Sequence, residues 1–255
     1  NRLSGVEKNI DNAISFLQVQ DGILDSAGKI LDRMAELKAL SQDVLKNDSD
    51  IANYNSEFQN LQVQLHQMSQ TTFNGVSLAG TGSSAIFGGS NVQDVTVSIF
   101  TSATGESGSK VSINKTMLLS ALTIDASDLS SASFTNAGKN NAAAAGTGGI
   151  FSFAADTVAG TMTLDKVSVA VFTQALQNIA TLRAENGGSV SRLQFSKESA
   201  AAQKTNLEAA NGRIMDVDIA TESTRLAKYN ILVQASASML SQANATSNVA
   251  MMLLN

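Results

Sequence analysis

Cysteine, proline and tryptophan are absent from this 255-residue chain, and histidine occurs once. Without cysteine there can be neither a disulfide framework nor a thiolate metal site. With His66 alone, a metal site built from imidazole and thiolate is also excluded. Without cysteine a Cys/His pair cannot form, and any Ser/His/Asp triad would have to be built around His66. His66 lies on a helical pattern between Leu65 and Gln67 and reads as a surface or interhelical hydrogen-bonding residue. The missing proline is more telling. At average usage of about 5% roughly a dozen would be expected, and proline both removes a backbone donor and clashes inside a helix. Its absence fits a chain dominated by uninterrupted helix.

Charge is also sparse. Charged residues make up 15% of the chain and the net charge is −5. No basic run stands out, which argues against binding a nucleic-acid backbone. No stretch of about eighteen consecutive apolar residues occurs, so no membrane-inserting helix is expected. No signal peptide is visible at Asn1. The chain starts without Met inside a helical pattern, so a preceding segment is expected.

What the chain does have is heptads. In the C-terminal third, Phe172, Ile179, Leu193, Leu207 and Ile214 fall at seven-residue steps, with Asn186 and Ala200 in the two weaker slots. Near the other end, Leu3, Ile10, Leu17, Leu24, Leu31 and Leu45 form a second stripe, broken only by Lys38. Beside it run Phe16, Ile23, Ile30, Leu37 and Val44. Seven-residue steps keep side chains on one helix face, because 3.6 residues per turn nearly divides seven. Such helices need partners along their length. Helix one is expected over about Leu3 to Lys46, on the order of 65 Å at 1.5 Å per residue. Gly22 and Gly28 inside it mark a bend, a close approach, or simply tolerated glycines. A further helix carries Ile51, Tyr54, Phe58, Leu61, Leu65 and Met68, with Ser49 or Asp50 as its N-cap. Asn74-Gly75 after it is a turn dipeptide.

From about 76 to 163 glycine, serine and threonine rise and the heptads vanish. Val95, Val97 and Ile99 alternate with polar residues, as do Val111 with Ile113, Leu122 with Ile124, and Met162 with Leu164. These read as short strands with one buried face. Gly105 to Gly108 suggests a hairpin connection, and Asn140 to Gly149 a low-complexity loop. The middle is therefore expected to be a separate, mostly β insertion. It is poor in aromatics and so should pack against the helices or neighbouring copies.

The glycine clusters lack the spacing of a phosphate cradle: no third glycine completes GxGxxG after Gly146-Thr147-Gly148, and GxxxxGK[ST] is absent. Asp216, Asp218 and Glu222 could be imagined around a cation, but the EF-hand pattern is missing and a hydrogen-bonded contact face is the simpler reading. Asp125 and Asp128 are a weaker version of the same idea. Beyond Glu222, Leu226, Tyr229, Val233, Leu240 and Ala243 continue a helical stripe to Met251-Met252-Leu253-Leu254. This stripe lacks an evident partner in the chain.

The segment Asn211-Gly212-Arg213-Ile214-Met215-Asp216-Val217-Asp218-Ile219-Ala220-Thr221-Glu222 resembles a characteristic stretch of bacterial flagellins. So do Asn230 to Ala235, Leu240 to Asn244 and the ending Met252-Leu253-Leu254-Asn255, and near the N-terminus Asn9 to Asp21, Asp32 to Leu37 and Phe73-Asn74-Gly75. The similarity covers roughly residues 1–78 and 165–255. It implies a mainly α fold with a β-rich insertion: a long, antiparallel, coiled-coil-like helical rod (D1) made by both chain ends. The implied divisions are 1–75 and 164–225 for the rod, 76–163 for the variable middle, and 226–255 for a D0 helix. It implies no enzyme activity and no cofactor. The implied function is a structural subunit that self-assembles into the extracellular flagellar filament. Partners would be further copies of the chain, the export apparatus with its chaperone, and the cap and junction proteins.

On this resemblance Leu17, Ile23, Leu24, Ile30, Leu31, Leu37, Phe172, Ile179, Leu193, Leu207 and Ile214 pack the rod and its subunit contacts. Asn74, Gly75, Arg213, Asp216, Asp218 and Glu222 form a motif contact face. Leu226, Val233, Leu240, Leu253 and Leu254 belong to the assembly helix. Ala35 stands where flagellins sensed by the vertebrate innate receptor typically carry a second arginine, which speaks against that recognition. Two alternatives accompany this reading: a hook–filament junction protein of the same superfamily, and a cell-surface protein whose central domain binds polysaccharide or carries a surface glycan. The second is weakened by the lack of Trp or Tyr in the middle, because sugar-binding faces stack on aromatics.

Overall fold

The computed structural model describes residues 2–80, 87, 96–125, 136–137, 150–215 and 218–252. The chain is mostly helical. Helices α1 (Arg2–Ser41) and α2 (Asp48–Ser69) precede a middle segment of short strands, and α4 (Val169–Met215) and α5 (Ile219–Met252) follow it. Between them lie β1 (Thr72–Phe73), β2 (Val76–Ser77), β3 (Thr96–Phe100), β4 (Lys110–Asn114), the one-turn α3 (Leu118–Ala121), β5 (Thr123–Asp125), β6 (Asn136–Ala137) and β7 (Ile150–Ser152). Residues 1–202 form one compact unit and 203–255 a second.

Helix α1 stops at Ser41 rather than reaching Lys46. Asp43 Oδ1 accepts from the Leu45 N–H at 3.0 Å, a local bond that competes with the helical ladder. Val44 and Leu45, assigned by spacing to the two stripes, are consequently 94% and 90% exposed. Lys38, the apparent break in the stripe, is buried instead. The N-cap of α2 is Asn47, not Ser49 or Asp50: its Oδ1 accepts from the Asp50 N–H at 2.8 Å. A Cβ at Gly22 or Gly28 would meet nothing within 4 Å, so these are tolerated glycines.

Asn74 and Gly75 both have positive φ, 49° and 79°. They join β1 to β2, with Phe73 opposite Val76, in the geometry of a type I′ hairpin turn. Strands β3 and β4 pair antiparallel from Thr96↔Asn114 to Phe100↔Lys110 around a turn at Gly105–Ser107. The third sheet has the order β6-β5-β7. The strand expected at Leu122 and Ile124 is β5, starting one residue later because Leu122 caps α3, whereas the one expected at Met162 and Leu164 is not a strand: Leu164 opens a 3₁₀ turn, Leu164–Lys166. Val95, Asp128 and the Asn140–Gly149 loop lie outside the described residues.

One core joins the helices to the middle segment. Leu24, Leu31, Met34 and Leu37 of α1 pack with Phe58 and Leu65 of α2, Leu118, Leu122 and Phe153 of the middle, and Phe172, Ile179 and Leu182 of α4. Phe172 anchors it, with its ring 6.1 Å from Phe58 edge-on and 5.0 Å from Phe153. A second cluster gathers Ile10, Leu17, Leu78, Ile113, Leu193 and Ala200. Ile23 and Ile30 are half-buried against these clusters rather than inside them. The middle segment thus contributes residues to the same core as the helices instead of folding around one of its own.

Candidate assembly surface

Polar side chains fix how the helices of the first unit meet. Asn186 Nδ2 donates to the Leu17 carbonyl at 2.8 Å, and Lys197 Nζ reaches Asp11 Oδ1 at 2.6 Å. Between Leu17 and Asp11 the α1 number falls while the α4 number rises, so the two helices run antiparallel. Arg183 forks onto Asp21, at 3.0 and 3.2 Å, and onto Asp25 at 3.1 Å. Asp21 chiefly raises the Arg183 pKa, while Lys29 and then Arg183 hold the Asp25 carboxyl below its usual value. On the other side Arg33 bonds Glu57 at 2.7 and 3.1 Å and Glu36 at 2.7 Å, and Glu57 is held low by Arg33. These pairs are solvent-exposed, so they orient the helices more than they stabilise them.

The middle segment is gripped by buried and half-buried polar side chains that periodicity does not reveal. Gln62 donates Nε2 to the Met162 carbonyl at 2.8 Å and accepts from the Met162 N–H at 2.9 Å. Asn55 Oδ1 accepts from the Leu164 N–H at 2.8 Å, and Lys38 Nζ donates to the Leu164 carbonyl. Asn178 Nδ2 donates to the Ala121 carbonyl at 2.9 Å. The one available signal was a polar residue at an apolar register position, as at Lys38 and Asn186.

The proposed packing residues divide sharply. Leu17, Leu24, Leu31, Leu37, Phe172, Ile179 and Leu193 are buried within the first unit. Leu207 and Ile214 are not: they are 60% and 81% exposed. In the second unit every described α5 side chain from Ile219 to Thr246 is exposed, including Leu226, Val233 and Leu240. Asp216, Leu253 and Leu254 lie outside the described residues.

Asp218 has a local role that sequence spacing did not suggest. Its Oδ1 accepts from the N–H groups of Ala220 and Thr221 at 3.1 and 3.2 Å, and Oδ2 from the Thr221 hydroxyl at 2.7 Å. It is the N-cap of α5, and the Thr221 bonds keep its carboxyl below the usual range. Arg213 and Glu222 are exposed on α4 and α5, and Glu222 Oε2 is 3.8 Å from Arg225. Among the described residues no group of three or more His, Asp or Glu could hold a metal ion, and no helix is long and apolar enough to cross a membrane.

Both helical ends of the chain match known families. The family described as the bacterial flagellin N-terminal helical region matches residues 1–81, and the bacterial flagellin C-terminal helical region matches residues 169–254. The flagellin of Bacillus subtilis is 30% identical over 248 residues, covering 95% of this chain and 77% of that protein. The flagellin of Listeria monocytogenes is 29% identical over 261 residues, covering 99% and 79%. A crystal structure of Bacillus cereus flagellin aligns over 80% of this chain and 94% of its own, at 21% identity and a TM-score of 0.48. The family matches and the sequence relatives favour neither a hook–filament junction protein nor a polysaccharide-binding surface protein. The chain belongs to the bacterial flagellin family and is a structural subunit of the flagellar filament.

Proposed function

We propose that the uncovered faces of α4 and α5 are the seams through which copies of this chain polymerise. The observation that carries this is the exposure of Leu207 and Ile214 near the end of α4 and of Leu226, Val233 and Leu240 on α5. Burying a Leu, Ile or Val side chain is worth about 1.5–3 kcal/mol, so a repeating seam can drive association without any chemical step. Leu253 and Leu254 extend this seam by sequence. By the flagellin resemblance Asn74, Gly75, Arg213, Asp216, Asp218 and Glu222 contribute to subunit contacts, Asp218 by fixing where α5 begins. In this reading 1–75 and 164–225 form the D1 rod, 76–163 is the variable part, and 226–255 is the D0 helix.

The working place of the chain is outside the cell, in the filament. An export apparatus with its chaperone, and cap and junction proteins, are its further partners. No catalytic role is proposed. Seeding purified protein with filament fragments tests the reading. Elongation seen by electron microscopy is the expected result, and double substitution of Leu226 and Val233 by Asp should abolish it while leaving the 1–202 unit folded. Protein that stays monomeric on seeds, or elongates unchanged with both substitutions, contradicts the proposed seam.

A further inference from the structure

The first unit carries an uncharged groove and, on another face, an isolated aromatic side chain. The groove holds about 250 Å³ and is lined by Ala13 and Phe16 of α1, Phe73 and Val76 of the β1–β2 hairpin, and Val97 and Phe100 of β3. Its polar edge is amide and hydroxyl: Asn9, Asn12, Asn74 and Ser98. An apolar cavity of about 150 Å³ suffices for a benzene ring, so this one accommodates a phenyl group. Its chemistry asks for an uncharged aromatic.

Phe195 on α4 is 71% exposed. It stands two residues beyond the buried Leu193, which on a helix is about 200° around the axis. It therefore points away from the core, and its own chain cannot place it in the groove. Its i±4 neighbours Ser191 and Ser199 are small, while the i±3 neighbours Arg192 and Glu198 are long, charged and exposed. Its height along the bundle matches the groove. Asn186 pairs with Leu17 and Lys197 with Asp11, which sets Phe195 at the level along α1 of Asn12 and Ala13, two residues that line the groove. Tyr229, the other exposed aromatic of the terminal helices, belongs to the continuous α5 stripe with Leu226 and Val233 and suits a helix partner rather than a pocket.

We infer that Phe195 of one subunit inserts into this groove of a second copy lying beside it. A filament requires such a contact, in which two different patches meet head to tail, because a patch that meets itself closes a dimer. The inference rests on the chain being a filament subunit.

The absence of cysteine makes the test direct. Filaments are assembled from a mixture of F195C and V76C subunits and oxidised, with S98C as a second reporter on the groove. Disulfide-linked dimers are expected from the mixed filaments, and not from either variant alone or from unassembled protein. F195A is expected to keep its helical content and to raise the critical concentration for assembly at least about tenfold. The contact is overturned if F195A filaments form at the unsubstituted protein's concentration and neither pair cross-links, or if Y229C links to V76C in place of F195C. Failure of the unsubstituted protein to polymerise would instead overturn the filament reading beneath it.

Discussion

Lys38 Nζ donates to the main-chain carbonyl of Leu164 at 2.6 Å, joining the last turn of α1 to the segment that leads into α4. A lysine in a leucine heptad thus anchors a chain 126 residues away. Burial lowers its pKa, with Asp165 opposing that shift. Lys38→Ala should destabilise the first unit by about 1–3 kcal/mol, because it leaves the Leu164 carbonyl without its donor. Urea denaturation followed by circular dichroism reads this directly.

The same amine gives a pH signature. Its folded pKa lies below that of the unfolded chain, so between those two values the unfolded state binds more protons. Stability therefore rises with pH through that alkaline window. Lys38→Met, which cannot titrate, should lose this rise. A parallel slope in both proteins between pH 8 and the ordinary lysine value of about 10.5 would contradict it.

Gln62 is fully buried and satisfies both the N–H and the carbonyl of Met162. Gln62→Leu keeps the volume roughly but orphans both groups. A loss of about 2–4 kcal/mol is expected, larger than for a surface glutamine such as Gln18, measured by the same denaturation.

Phe172 sits between Phe58 and Phe153 and belongs to the core that α1, α2, α4 and the middle segment share. Phe172→Ala should cost about 3–5 kcal/mol. Because the core is shared, amide exchange should rise together in α1, α2 and the β5–β7 pair. Exchange confined to α4 would show that the middle folds separately after all.

At the hairpin, Gly75→Val should weaken the β1–β2 pairing although a Cβ there meets nothing within 4 Å. The cost lies in the backbone: φ of 79° is one that a β-branched residue strongly resists. Gly22→Ala, at a helical and uncrowded position, should instead stabilise by up to about 1 kcal/mol. Opposite signs in thermal melts distinguish conformational cost from crowding.

Much of this protein could be read from the chain alone, and the limits fall at identifiable residues. Local rules settled the helices, because 3.6-residue periodicity and the lack of proline act within a few turns. They settled the Asn74-Gly75 turn, since those two residue types tolerate positive φ, and the terminal motifs settled the family. Whether an apolar side chain is covered is a different matter, since a neighbour must supply the covering surface. Leu45 and Leu31 occupy equivalent heptad slots, yet only Leu31 is buried, because α1 ends before Leu45. Leu193 and Leu207 differ in the same way along α4. The polar anchors Asn55, Gln62 and Asn178 were hidden for the converse reason, and Lys38 showed only as a break in the stripe: each matters through a backbone group far away in sequence. Periodicity chose the faces; long-range packing decided which of them the chain covers itself and which it leaves exposed.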